Sequence, residues 1–310
     1  MKYFRFLALS ILIFFTFSAL ALRFSLPESG NNLFGRIQFV SIQEGYTFAS
    51  IAHQYDIGYF ELVEANPEID PNQSVPGTAL IIPTRYLLPH VSRDGIIINL
   101  ATMRLYYFPK GKNYFYSYPV GIARFNWASP IGRFRIVQKI RNPVWIVPNS
   151  IFRYRQENGD PVPRIVPSGP NNPLGYYALR LSNPTYLIHG TNDPGSVGRR
   201  SSAGCIHLYS EDIKQLFAMV SVNTPVLIIN QPYVVGLDKG KLYIEAHLPL
   251  KEQRKKLSTN IHNVVITLIN DFLKNRKENF SIDWQKADEI IKEHVGIPTV
   301  VNFSGSDNHS

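Results

Sequence analysis

One cysteine, Cys205, occurs in 310 residues, downstream of an N-terminus that reads as an export leader. A lone thiol closes no internal disulfide, so an apolar core has to hold the fold. An unpaired thiol is also a liability in an oxidising compartment. Cys205 stands sixteen residues after His189 and directly behind Gly204. In that company it is better explained as a nucleophile. The leader begins with Lys2 and Arg5, continues through the almost wholly apolar residues 6–20 and ends in Ala19-Leu20-Ala21, small residues at a processing site. Residues 1–21 are therefore expected to be a signal peptide, with a mature chain starting near Leu22 in the periplasm or cell envelope. No cysteine follows the run, which excludes lipidation there. An uncleaved anchor is the alternative, because the run is only slightly short of the roughly 20 residues that span a bilayer.

About 290 residues remain beyond the leader, more than one ordinary domain and ample for a core. The formal net charge of +9 favours an acidic partner. Anionic lipid heads, or the carboxylates and phosphates of a cell wall, suit an exported chain. Nucleic acid does not, and no zinc-finger or RNA-binding pattern is present. A purely solubilising role for the lysines and arginines fits the charge equally.

The chain is expected to be multidomain and mainly β. Residues 38–84 read as a small strand–helix–helix–strand module, with Phe39, Val40 and Ile42 in the first strand. Thr47 is the expected cap of a helix in which Phe48, Ile51, Ala52 and Tyr55 recur at helical spacing. A second helix holding Phe60, Leu62 and Val63 ends at Asn66-Pro67, and residues 80–83 close the unit. Most of these apolar residues form a mini-core, which leaves the loops 45–48 and 66–69 to touch a ligand. Residues 94–230 carry β-rich runs at 96–100, 103–108, 114–120, 134–138, 176–181, 186–188 and 225–229. The segment 141–173 between them is long and rich in Pro, Asn and aromatics; such loops usually serve function, so it is expected to wall a cleft. One helix is expected with Ser210 as cap, Glu211 and Asp212 at its positive end, and Ile213, Leu216, Phe217 and Val220 on its apolar face. Residues 231–303 read as a hairpin turning at Asp238-Lys239-Gly240, an amphipathic helix through Ile261 to Phe272, and a helix from about Ser281 that stops at Gly296. Residues 304–310 read as a disordered tail.

A free thiol titrates near pH 8.5, so a fast cysteine nucleophile needs help. His189 can serve as general base or ion-pair partner, and the carbonyl of Gly190 is the nearest group to fix its tautomer. Gly204, without a side chain, lets the backbone N–H groups of Gly204 and Cys205 approach a developing oxyanion. Ser201 and Ser202 can brace the loop. On spacing alone a buried structural thiol remains open, as does a zinc site of His189, Cys205 and His207, which would lack a fourth ligand.

The fuller string alters the balance. Ile188-His189-Gly190-Thr191-Asn192, Gly198, Ser202, Gly204-Cys205-Ile206 and Leu208 closely resemble the motif of L,D-transpeptidases of the YkuD or ErfK type. The likeness extends to Ser129-Pro130-Ile131-Gly132-Arg133-Phe134, Asn172-Pro173-Leu174-Gly175, Asp212-Ile213 and Thr224-Pro225-Val226, and so covers roughly residues 94–230. Glu44-Gly45-Tyr46-Thr47, Ala65-Asn66-Pro67 and Ile81-Ile82-Pro83 resemble a LysM domain, a module that binds N-acetylglucosamine glycans such as peptidoglycan.

The resemblance implies an enzyme that cuts and rejoins peptidoglycan stem peptides without metal or nucleotide cofactor. By position, Cys205 is the nucleophile, His189 the base and Gly190 the residue orienting it. A tetrapeptide stem would acylate Cys205 with loss of D-Ala, and an amine from another stem or an envelope protein would take the acyl group. Two positions depart from the family pattern: Ala203 stands where many members have a second His, and His207 where most have Arg. An Arg there is expected to hold a substrate carboxylate. His207, with Arg199 or Arg200 supplying missing charge and Ser202 beside them, is therefore the expected substrate-binding set. A non-catalytic wall-binding scaffold and a hydrolase on the same fold are the alternatives.

Overall fold

The computed structural model describes residues 22–257, 260–276 and 278–303. The expected leader, residues 1–21, and the expected tail, 304–310, lie outside the described residues. The central feature is a nine-stranded sheet. From one edge its order is Leu22–Ser25, Tyr114–Pro119, Arg104–Phe108, Gly95–Asn99, Pro225–Ile229, Gly132–Arg141, Tyr177–Leu181, Leu187–His189 and Ile206–His207. Neighbours are antiparallel except Gly95–Asn99 with Pro225–Ile229 and Leu187–His189 with Ile206–His207. A bridge from His207 to Gly121, just past the second strand of that order, curls the sheet back on itself. Inside the curl, Ile96, Ile98, Leu105, Tyr118, Leu179, Ile188, Ile206 and Ile228 are buried, with Ile213, Leu216 and Phe217 of the helix Ser210–Met219 packed against them. Every residue of Gly95–Asn99 and Arg104–Phe108 is buried, as fits strands covered on both faces.

The N-terminal part pairs Gln38–Ser41 with Ala79–Ile82 around the helices Phe48–Gln54 and Tyr59–Glu64. Thr47 caps the first helix and Ser50 returns the bond, a reciprocal arrangement that satisfies two terminal N–H groups. Phe48, Ile51, Leu62, Leu80 and Ile82 fill this unit's core. Phe60, read as a core residue of the second helix, is exposed; Tyr59 and Leu62 are the buried positions.

At the C-terminus Tyr233–Asp238 and Lys241–Ala246 form the hairpin, joined by a third strand, Thr299–Val300. The helices Ile261–Leu273 and Trp284–Glu293 cover it through Val265, Ile269, Ala287 and Ile291. The last helix ends sooner than the glycine rule predicts: His294, not Gly296, takes the left-handed position after it, at φ 53°. The segment 141–173 is also more ordered than expected. Trp145–Ile146 pairs with Ile165–Val166, and between them lies the helix Asn149–Glu157, none of whose residues is buried. Asn172, fully buried, anchors this flap by donating to the carbonyl of Pro143 and accepting from the N–H of Leu174.

Candidate active site

His189 closes the strand Leu187–His189, and Ile206–His207 runs parallel beside it, His189 opposite His207. Cys205 immediately precedes that second strand, so the pairing brings the thiol to the end of the sheet where His189 sits. His189 is buried, with Nδ1 2.6 Å from the Gly190 carbonyl oxygen. The Nδ1–H tautomer donates to that acceptor and leaves Nε2 with its lone pair free. Burial, reinforced by the neighbouring His207 ring at 6.0 Å between centroids, lowers the His189 pKa to about 3 against the opposing pull of Gly190. Burial likewise raises the Cys205 thiol, while a hydrogen bond with the Leu187 backbone and the charge of Arg180 act the other way. Near neutrality the pair is a neutral imidazole and a protonated thiol. A preformed thiolate–imidazolium pair is disfavoured, and the chemistry open to this geometry is general-base transfer of the thiol proton during attack.

The loop carrying Cys205 is tied internally. Ser202 Oγ accepts from the Gly204 N–H at 3.1 Å and donates to the Cys205 carbonyl at 2.6 Å. The Gly204 N–H, expected as an oxyanion donor, is thus engaged by Ser202, and of the expected pair the Cys205 N–H is the remaining one. Ser202 braces the loop rather than facing outward for substrate. Gly204 has φ +126°, and a Cβ there would stand 2.9 Å from the Tyr186 ring and 3.3 Å from the Ala128 carbonyl oxygen. Only glycine fits both the conformation and the space.

The expected substrate-binding cations are placed differently from the reading above. His207 is buried, its ring against Gly121 and its Nε2 3.2 Å from the Ser196 carbonyl oxygen. Burial lowers its pKa to about 4, against Ser196 and Asp193, so it carries no charge at neutral pH and cannot replace a carboxylate-holding arginine. Arg199 lies 3.2 Å over the Tyr59 ring of the N-terminal unit and donates to Gly195. Arg200 forms a two-point ion pair with Glu252. Among the described residues no group of three His, Cys, Asp or Glu is arranged to hold a metal. Not singled out from the sequence were Arg124, Arg180 and Tyr186, which lie beside the loop, and Trp127 and Tyr154, which pack on Arg124. An arginine set among aromatics at Arg124-Phe125-Asn126-Trp127 was the available signal.

The helix Ser210–Met219 is not capped by Ser210, whose hydroxyl instead donates to the Thr191 carbonyl and ties the helix to the loop after His189. Glu211 and Asp212 face the N-terminal unit: Glu211 meets His53 at 2.6 Å, and Asp212 pairs with Asp56. That unit also reaches the loop between His189 and Cys205, where the N–H groups of Tyr59 and Phe60 donate to the carbonyls of Val197 and Gly198.

A family model for the YkuD L,D-transpeptidase catalytic domain matches residues 93–228. The probable L,D-transpeptidase YcfS of Escherichia coli K12 is 36% identical over 304 residues, 94% of either chain. This chain belongs to the YkuD-type L,D-transpeptidase family. The probable L,D-transpeptidase YbiS of the same strain is 35% identical, covering 93% of this chain and 94% of that protein. The similarity to these family members runs through the flanking parts as well as the catalytic sheet. The solved catalytic domain of the E. faecium L,D-transpeptidase aligns at a TM-score of 0.35 and 22% identity, over 45% of this chain and 99% of that one.

Proposed function

We propose that this L,D-transpeptidase works in the cell envelope on peptidoglycan, with Cys205 as nucleophile and His189 as general base. A tetrapeptide stem ending in D-Ala presents the carbonyl of its third residue to Cys205. The S–C bond forms as Nε2 of His189 takes the thiol proton, and the oxyanion is received by the Cys205 N–H. The C–N bond to D-Ala then breaks, and His189 returns the proton to the leaving amine. An acceptor amine, from a second stem or from an envelope protein, attacks the thioester and loses its proton to His189; the C–S bond then breaks, and His189 passes that proton to the departing sulfur, which restores the Cys205 thiol. The observation that carries this reading is the neutral His189, held at Nδ1 by Gly190 with Nε2 left free, on the strand beside the Cys205 loop. Intact-mass spectrometry with a defined muropeptide tetrapeptide tests it: acyl-Cys205 and free D-Ala are expected, and their absence in active, folded protein would overturn it. Adding an amine acceptor to the same sample distinguishes transfer from hydrolysis.

The strand–helix–helix–strand unit supports a second assignment, LysM-like binding of glycan strands, at loops narrower than first read. Phe48 is fully buried, and the Asn66 amide is held by the Leu62 and Ile81 backbone, so neither faces a ligand. Tyr46, with the exposed Pro67 and Glu68, is the available surface. Tyr46→Ala should weaken sedimentation with sacculi while leaving turnover of a soluble stem unchanged; equal sedimentation would remove the loop from the reading. Export rests on residues 1–21, and N-terminal sequencing of the envelope-fractionated protein should begin near Leu22.

A further inference from the structure

A stem donor ends in a carboxylate one residue beyond the bond to be cut, so a site that selects it needs a fixed positive charge nearby; this step rests on the transpeptidase reading above. His207 is neutral, Arg199 is stacked on Tyr59, and Arg200 is paired with Glu252. Arg180 has Nε on Gln138 and Nη1 on the Pro184 carbonyl. Arg124 has no such engagement. Its guanidinium carbon lies 4.0 Å from the centre of the Tyr154 ring and 4.9 Å from that of Trp127, which are themselves edge to face. No carboxylate among the described residues pairs with it, and its Nε is buried without an acceptor. Buried guanidinium N–H groups ordinarily find an acceptor.

The place of this cation is as informative as its freedom. The Arg124 N–H donates to the Ser202 carbonyl at 3.0 Å, three residues before Cys205. The Ala128 carbonyl of the same loop touches the space beside Gly204. Tyr154 belongs to the flap helix Asn149–Glu157, so Arg124 lies where the nucleophile loop, its neighbouring wall and the flap meet. Two aromatic faces restrain the guanidinium, which keeps a planar fork suited to a carboxylate at little entropic cost.

We propose that Arg124 binds the terminal carboxylate of the stem donor and is the specificity-determining residue that His207 is not. The alternative is that Arg124 only pins the flap to the cleft wall by its cation–π contacts. Rates of Cys205 acylation, followed by intact mass, separate the two when a tetrapeptide donor is compared with its C-terminal amide. The wild-type protein should prefer the carboxylate donor by about tenfold to a hundredfold, mainly in KM, as expected for a charge-assisted hydrogen-bonded pair. Arg124→Gln should acylate with both donors at the amide's level, Arg124→Lys should restore part of the preference, and Arg180→Gln should keep it. Equal slowing of both donors in Arg124→Gln with the preference intact would make Arg124 a flap pin and overturn the proposal. Loss of preference in Arg180→Gln instead would move the carboxylate to Arg180, with the same consequence. A wild type that acylates without preference overturns this assignment alone. One that acylates with neither donor overturns the transpeptidase reading with it.

Discussion

At the scale of single residues, protonation decides how Cys205, in the role proposed for it, is prepared. The His189 imidazole, its pKa lowered to about 3, is neutral throughout the physiological range, and burial holds the Cys205 thiol above the ordinary cysteine value. Alkylation of the free protein by iodoacetamide should therefore follow one ionisation on the alkaline side of the ordinary cysteine range, with no acid-side plateau of the kind an ion pair gives. His189→Gln should leave that profile nearly unchanged yet slow acylation by a stem donor by about 10²–10⁴-fold, because a general base acts only while its proton acceptor is in place. A plateau between pH 4 and 7 that disappears in His189→Gln would restore the ion-pair mechanism. The contact of His189 with the Gly190 carbonyl was legible from the sequence because the two residues are adjacent. The state of His207 was not, since its neutrality comes from burial, with its ring against Gly121, which outweighs the opposing pull of Ser196 and Asp193 and is invisible in the spacing.

At the scale of elements, periodic apolar residues announced the strands and the helix Ser210–Met219, whereas the helix Asn149–Glu157 escaped because it buries nothing and so has no apolar face to read. The acids at the start of Ser210–Met219 were legible as dipole-favouring but serve as docking groups. Burial raises Asp56 to about 6, next to an Asp212 raised further, so the folded pair holds a proton that an unfolded chain releases above about pH 3.8. Their contribution to stability is complete at low pH and falls as pH rises through about 6. Asp212→Asn should flatten the decline in Tm between pH 4.5 and 7, and an unchanged slope would take the pair out of that linkage. Gly198 sets the approach between elements. At φ +73°, a Cβ on it would stand 2.2 Å from both the Gly58 Cα and the Tyr59 nitrogen. Gly198→Ala should cost more than about 1 kcal/mol and disturb acylation as well, because backbone and not a flexible side chain must give way. Thermal unfolding together with acylation rates checks both halves of that expectation.

At the scale of the whole molecule, buried charge joins the three parts that the sequence set apart. Arg104, on a central strand of the sheet, makes a two-point pair with Glu61 of the N-terminal unit at 2.8 and 2.9 Å, supported by Tyr86 and Ser117. His247 stands between Glu64 of that unit, at 2.8 Å, and Glu245 of the C-terminal hairpin, at 2.9 Å, and Glu245 accepts the Leu87 N–H. Although burial opposes it, the two carboxylates raise His247 to about 10 and keep it cationic. Because the folded value exceeds the unfolded one of about 6.5, this clamp contributes fully below that pH and its contribution is lost as pH rises through about 10. His247→Gln, which leaves the buried Glu245 and the partly buried Glu64 without their cation, should lower stability by roughly 3–5 kcal/mol near neutrality and remove much of the alkaline decline. Parallel melting curves for the two proteins at pH 7 and 10 would show it.

The sequence by itself determined the β-rich catalytic part and the strand–helix–helix–strand unit. Each depends on neighbours a few residues apart or on a periodicity that burial imposes on one element. Only the tertiary structure decided which cations are already engaged, that Gly204 must clear Tyr186, and that Glu61, Asp56 and Glu245 lie buried at junctions. A charged residue reads as solvated in a sequence, since the desolvation that makes it costly and the distant partner that offsets that cost exist only once the chain has folded.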